Sequence, residues 1–190
     1  MVGCSLNNSS LTNNGTLTVT GGALTVNGNI ALNDGCTFNM SGGNIIIDPN
    51  DGTTAGSVAA GTNILALGTT TAAVTCNVTG GTIQFNDPPY AGSGLTIVNN
   101  TNTNMTWAGN TIQFGGTANT NATTAPNGFQ VECNKNTGKI SLGNIIVNGG
   151  DPAKPVTDGS SGMNVANNLT INALSELKIT TSGSNFAGNI

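Results

Sequence analysis

The sequence predicts an all-β chain, wound as a single parallel β-helix (β-solenoid) segment over residues 1–190. Three observations predict it. Apolar residues recur in pairs spaced by two, at Leu17/Val19, Leu24/Val26, Ile30/Leu32, Phe38/Met40 and Ile45/Ile47. The pairs restart after 7, 6, 8 and 7 residues, an interval too short for a sandwich strand and its hairpin. Longer echoes also return: Thr-Ile-Gln-Phe at 82–85 and 111–114, and Gly-Asn-Ile-Ile-Ile at 43–47 as Gly-Asn-Ile-Ile-Val at 143–147.

Each element follows from the alternation. Period two means a strand with one buried face, and the turn formers Gly21-Gly22, Gly28, Asp34-Gly35 and Gly42-Gly43 separate the first strands. A meander of small hairpins would need Asn-Gly turns throughout, and here they are occasional. Stacked coils instead pair every strand except at the two ends. A coil of three such strands takes about 21 residues. Allowing for looser later coils, roughly 6 to 9 coils with protruding loops are expected, about 30–45 Å at the ~4.8 Å strand spacing. Right-handed winding is expected, because the hexapeptide regularity of the left-handed form is missing. Later strands are expected at 64–67, 74–78, 82–85, 95–98, 105–107, 111–114, 129–133, 139–142, 144–147, 168–171 and 175–179. The Gly-, Pro-, Asn- and Thr-rich stretches 48–62, 86–94, 115–127 and 148–162 read as loops, where specific ligand contacts are expected.

Composition bounds the function. Charged residues are 6% of the 190, net charge is −4, and there is no His. Asn and Thr together make up about a third of the chain. Low charge with 36% apolar residues argues against disorder. Without Arg, and with the first Lys at Lys135, no basic patch exists to bind nucleic acid or anionic lipid. No run approaches the roughly 18 apolar residues of a membrane span, so no membrane insertion is expected. The start, Met1-Val2-Gly3-Cys4-Ser5, has no basic region and no apolar signal core. The chain therefore reads as a segment of a longer repeat protein. Cys4, Cys36, Cys76 and Cys133 share the parity of apolar neighbours and are expected to point inward as small hydrophobes. Internal disulfides are the second reading.

The acids point away from catalysis. Asp34, Asp48, Asp51, Asp87, Asp151 and Asp158 each precede Gly or Pro, as turn-capping aspartates do. Glu132 and Glu176 alone stand outside such dipeptides, whereas a β-helix glycosidase needs carboxylates gathered on one face. No catalytic or cofactor-binding residues are assigned, and no cofactor is expected. Asp48, Asn50 and Asp51 put three oxygen-bearing side chains in one turn and form a candidate calcium site. A plain turn is the preferred reading there. Thr16, Thr18, Thr20 and Thr25 are expected to face outward. Regular Thr rows can order water and bind ice, but Thr-x-Thr decays after residue 25. A solvated β surface is therefore expected. Trp107 and Tyr90 are too few for a carbohydrate platform.

Gly-Thr-Leu-Thr-Val-Thr-Gly-Gly-Ala-Leu-Thr-Val-Asn-Gly-Asn at 15–29, Thr-Phe-Asn-Met-Ser-Gly-Gly-Asn at 37–44 and Leu-Gly-Asn-Ile-Ile-Val-Asn at 142–148 resemble repeat regions of very large Bacteroidota surface proteins. Those proteins are exported by the type IX secretion system and include the gliding-motility adhesins. The resemblance implies an extracellular, cell-surface, non-enzymatic adhesin or filament segment. Its partners would be neighbouring repeats and surface glycans. The family's C-terminal sorting module is not recognisable in 170–190. An ice- or polysaccharide-binding solenoid and a phage tail-fibre shaft are the alternatives.

Overall fold

The computed structural model describes residues 4–6, 11–13, 15–47, 62–68, 74–86, 96–99, 106–116, 128–132, 140–148, 156–158, 162–173, 175–180 and 184–190. Among these there is no helix, and every strand pairing is parallel. The strands are β1 (Cys4–Leu6), β2 (Leu11–Asn13), β3 (Thr16–Val19), β4 (Ala23–Val26), β5 (Ile30–Leu32), β6 (Thr37–Met40), β7 (Asn44–Ile47), β8 (Leu65–Leu67), β9 (Thr75–Val78), β10 (Thr82–Phe85), β11 (Ile97–Asn99), β12 (Thr106–Phe114), β13 (Val131–Glu132), β14 (Ile140–Val147), β15 (Val156–Thr157), β16 (Met163–Val165), β17 (Leu169–Ile171), β18 (Leu177–Lys178) and β19 (Asn185–Phe186).

Neighbours in sequence are not neighbours in a sheet. The first sheet runs β1-β4-β7-β10-β12-β14, and β14 then pairs with β17 through one half and with β16 through the other, β16 pairing in turn with β19. The second runs β2-β5-β8-β11-β13, and the third β3-β6-β9. A fourth, β15-β18, joins the second by the Gln130–Thr157 bridge. From β1 to β9 the chain visits the three sheets in strict rotation. Parallel pairing requires a crossover between partners, and here the intervening strands of the other sheets supply it.

Register places like on like. The two Thr-Ile-Gln-Phe segments pair residue for residue, Thr82 with Thr111 through Phe85 with Phe114. Ile45, Ile83, Ile112 and Ile145 form one inward column, and Ile47, Phe85, Phe114 and Val147 the next. All eight are buried, each contributing roughly 1.5–3 kcal/mol by leaving water. Phe85 and Phe114 stack with centroids 5.6 Å apart, and Phe38 meets Trp107 edge-on at 5.8 Å. These side chains belong to one continuous core.

Corners are built on glycine. Gly22, Gly43 and Gly81 precede β4, β7 and β10 in register with φ of 74°, 79° and 84°. A Cβ on Gly43 would lie 2.7 Å from the carbonyl carbon of Gly21, so the stacked corners exclude side chains there. One strand further on, Asn110 takes the matching place, level with Gly81.

Several boundaries differ from the sequence reading. Strands expected at 105–107 and 111–114 fuse into β12, and those at 139–142 and 144–147 into β14. In each, the two halves serve different faces: the second half of β12 pairs with β10, whereas β12 also packs on β9. A register shift between Trp107 and Thr111 absorbs the corner. β15 lies inside the stretch 148–162 read as loop, and β16 and β19 were not anticipated. β15 and β19 have two residues each, too few to show alternation, whereas β16 has the same alternating burial as β5 and its Met163/Val165 pair is open to the same reading.

Candidate functional surfaces

The third sheet presents the most regular outer surface. Its inward residues are Val19, Phe38, Met40 and Val78, all buried, with Leu17 and Cys76 packed against them. The alternate residues face out. Thr16, Thr37 and Thr75 are level with one another, as are Thr18, Asn39 and Asn77. Hydrogen bonds from Ser41 N to the Val19 carbonyl (3.0 Å) and from Thr79 N to the Met40 carbonyl (2.8 Å) carry the ladder one residue further, aligning Thr20, Ser41 and Thr79. Nine neutral hydrogen-bonding side chains thus form three rows of three. Thr37 and Asn39 are half-buried and the other seven exposed. The middle row is tied together: Asn77 Nδ2 donates to Asn39 Oδ1 at 2.8 Å, and Asn39 Nδ2 donates to Thr18 Oγ1 at 3.4 Å.

Similar ladders run elsewhere. Asn168 Nδ2 donates to Asn144 Oδ1 at 3.2 Å, Asn189 Nδ2 to Asn168 Oδ1 at 3.3 Å, and Asn172 Nδ2 to Asn148 Oδ1 at 3.1 Å. Each carboxamide has a donor and an acceptor, so a stack of them satisfies itself from strand to strand.

Among the described residues the acids do not converge. Asp34 sits in the expected turn, closed by the 3.1 Å bond from Cys36 N to the Asn33 carbonyl with Gly35 at φ 77°. Asp158 departs from the turn reading. It is fully buried, and its carboxylate accepts hydrogen bonds from Thr180 N, Thr180 Oγ1 and Ser184 Oγ, each at 2.7 Å. Ser184 Oγ in turn accepts from Met163 N at 3.1 Å. Asp158 is therefore a strut from the end of β15 to the segment around β18 and β19. Gln130 bridges Thr157, which is level with Lys178. Glu132 lies two residues beyond that level and Glu176 two before it, one to either side of the bridge. Four residues along and two strands across put them on the order of 15 Å apart, whereas paired glycosidase carboxylates stand about 5–10 Å apart. Among the described residues no three His, Cys, Asp or Glu group as a metal site. Asp48, Asn50 and Asp51 lie outside the described residues, as do Asp87, Tyr90, Cys133 and Asp151.

Cys36 and Cys76 are free thiols. Burial pushes both above the ordinary thiol value, with nearby Asp34 adding to the rise at Cys36. For Cys76 the rise reaches about 12, opposed in part by the neighbouring Trp107 side chain. Both thiols stay protonated near neutrality, and only the thiolate is nucleophilic. The inward expectation holds for Cys36; Cys76 is half-buried at the core's margin. The Asn110 carboxamide and the Trp107 indole nitrogen are buried without a hydrogen-bond partner of ordinary geometry among the described residues.

Local pattern singles out Thr16, Thr18 and Thr20 but misses Thr37, Asn39, Ser41, Thr75, Asn77 and Thr79. Their alignment needs the strand register, which no local pattern encodes when 38 residues separate Asn39 from Asn77. No family model, no curated protein and no solved structure matches the chain.

Proposed function

We propose that the chain winds as a parallel β-solenoid and serves as a non-enzymatic, stiff segment of an extracellular cell-surface adhesin or filament. The observation that carries this reading is the rotation of consecutive strands among separate parallel sheets with like residues stacked in register. Grouped by face, the strands fall into seven levels: β1 to β3, β4 to β6, β7 to β9, β10 to the start of β12, the rest of β12 to the start of β14, the rest of β14 to β16, and β17 to β19. Seven levels at about 4.8 Å make a rod about 34 Å long. A stack held by continuous backbone ladders and by one continuous core resists bending, which suits a spacer.

The chemistry of the surface supports the non-catalytic part. The ladders described on the outer faces are neutral carboxamides and hydroxyls, the Cys36 and Cys76 thiols are held protonated, and Glu132 and Glu176 are too far apart to act on one bond. Neighbouring repeats and surface glycans are the partners in this reading. Antibodies raised against the purified chain should label intact cells of the source organism, and deleting the gene should lower attachment to glycan-coated surfaces several-fold. Labelling that appears only after lysis would overturn the reading. So would turnover of a polysaccharide that Glu132→Gln or Glu176→Gln abolishes.

A further inference from the structure

We propose that the outer face of β3, β6 and β9 binds ice, the surface of an ordered water lattice. The inference rests on the pairing of these three strands and is independent of the adhesin reading. The six strand side chains of this face, Thr16, Thr37 and Thr75 beside Thr18, Asn39 and Asn77, repeat in two directions: about 4.8 Å from strand to strand and about 6.6 Å from one outward residue to the next. Thr20, Ser41 and Thr79 extend the rows one residue past the strand ends, where the backbone bends at Thr20 and Ser41. Along the strands the sequence pattern fades after Thr25, but across the strands it persists, as Thr16–Thr37–Thr75 and Thr20–Ser41–Thr79.

Three properties select the ligand. The patch carries no charge, so it does not attract ions or ionic polymers. None of its nine side chains is aromatic, so it offers no ring for a sugar to stack on. What it does offer is a rigid two-dimensional array in which every point both donates and accepts hydrogen bonds. A ligand gains from such an array only if it repeats in two directions itself, and the oxygens of an ice face do, with comparable spacings. Threonine suits this role because β-branching restricts χ1 and fixes the hydroxyl beside a methyl group. The bonds from Asn77 to Asn39 and from Asn39 to Thr18 fix the middle row in the same way. Little side-chain entropy remains to be lost on binding, which is the usual cost of ordering polar groups at an interface.

The test is ice-crystal shaping and thermal hysteresis on the purified chain, with Asn39→Tyr at the centre of the patch and Thr75→Tyr at its exposed edge. Circular dichroism checks that each variant keeps the native β spectrum, and Gln113→Tyr, on the first sheet, serves as the control. Faceted crystals and hysteresis are expected from the parent chain and from the control, with most of the hysteresis lost in whichever patch variant folds. Round, unshaped crystals from the parent chain would overturn the proposal. Hysteresis that survives both patch substitutions, or that Gln113→Tyr removes, would place the activity elsewhere and overturn it too. Retention on crystalline chitin or cellulose without hysteresis would do the same, since the face would then be a glycan surface.

Discussion

Asp158 is the residue whose role changes most between sequence and structure. In an Asp-Gly dipeptide an aspartate is read as a turn cap, yet this carboxylate is buried and accepts three 2.7 Å bonds from Thr180 and Ser184. Nothing local in the sequence links residue 158 to residues 180 and 184; only the register does. Asp158→Ala leaves two hydroxyls and a backbone N–H without their acceptor, at a cost of about 3 kcal/mol. Asp158→Asn keeps the acceptor for Thr180 and should cost about 1 kcal/mol. Chemical denaturation of the two variants checks both the order and the size of the effects; equal losses would mean that the carboxylate's second oxygen matters as much as its first. Cys76 gives a prediction in pH. Its folded pKa, about 12, lies above the ordinary thiol value of 9.0, so the unfolded chain loses this proton first. The stabilisation is therefore complete below about pH 9 and declines as pH rises toward 12. A thiol reagent at pH 8 should leave Cys76 unmodified in the native chain and modify it fully in denaturant, whereas rapid native labelling would contradict the burial.

At the scale of the element, the alternation is legible where apolar pairs recur at close intervals, as they do from Leu17 to Ile47. Thr82–Phe85 was read with its bounds intact, and Ile30/Leu32, Phe38/Met40 and Ile45/Ile47 are buried pairs as expected. Two kinds of strand were not legible. β15 and β19 have two residues each, and the strand expected at 175–179 narrows to the two residues of β18. Pairing with a neighbouring strand makes them strands, and propensity alone would not. β12 and β14 were read as two strands apiece because Gly109 and Gly143 interrupt the alternation. Those glycines allow a close crossing: a Cβ on Gly143 would lie 2.5 Å from the carbonyl oxygens of both Asn110 and Trp107. The backbone thus turns from one face to the next without ending its ladder. The outer patch was half legible for a related reason. Outward parity identified Thr16, Thr18 and Thr20, but which residues stand beside them depends on how much chain separates β6 from β9, and loop length carries no signature of what it brings together.

For the whole molecule, the consequence of the proposed winding is a stability that is distributed along one axis. If each level touches only the levels beside it, a local loss should spread to its neighbours and fade beyond them. Phe85→Ala provides the perturbation, because Phe85 is fully buried and stacks on Phe114 in the next strand. Removing the ring should cost about 3–5 kcal/mol locally. Native-state hydrogen exchange then reads where the loss is felt. In a one-dimensional stack, protection should fall most in β10 and in the adjoining β7 and β12, and least in β3 and β17, several levels away. Before mutation, the same experiment should find the slowest exchange in the middle of the nine-stranded sheet, where strands are paired on both sides. An equal fall at every amide would mean that the chain unfolds as one cooperative unit. Its core would then couple distant levels directly, and the independent-level account of a stiff, extendable rod would have to be abandoned.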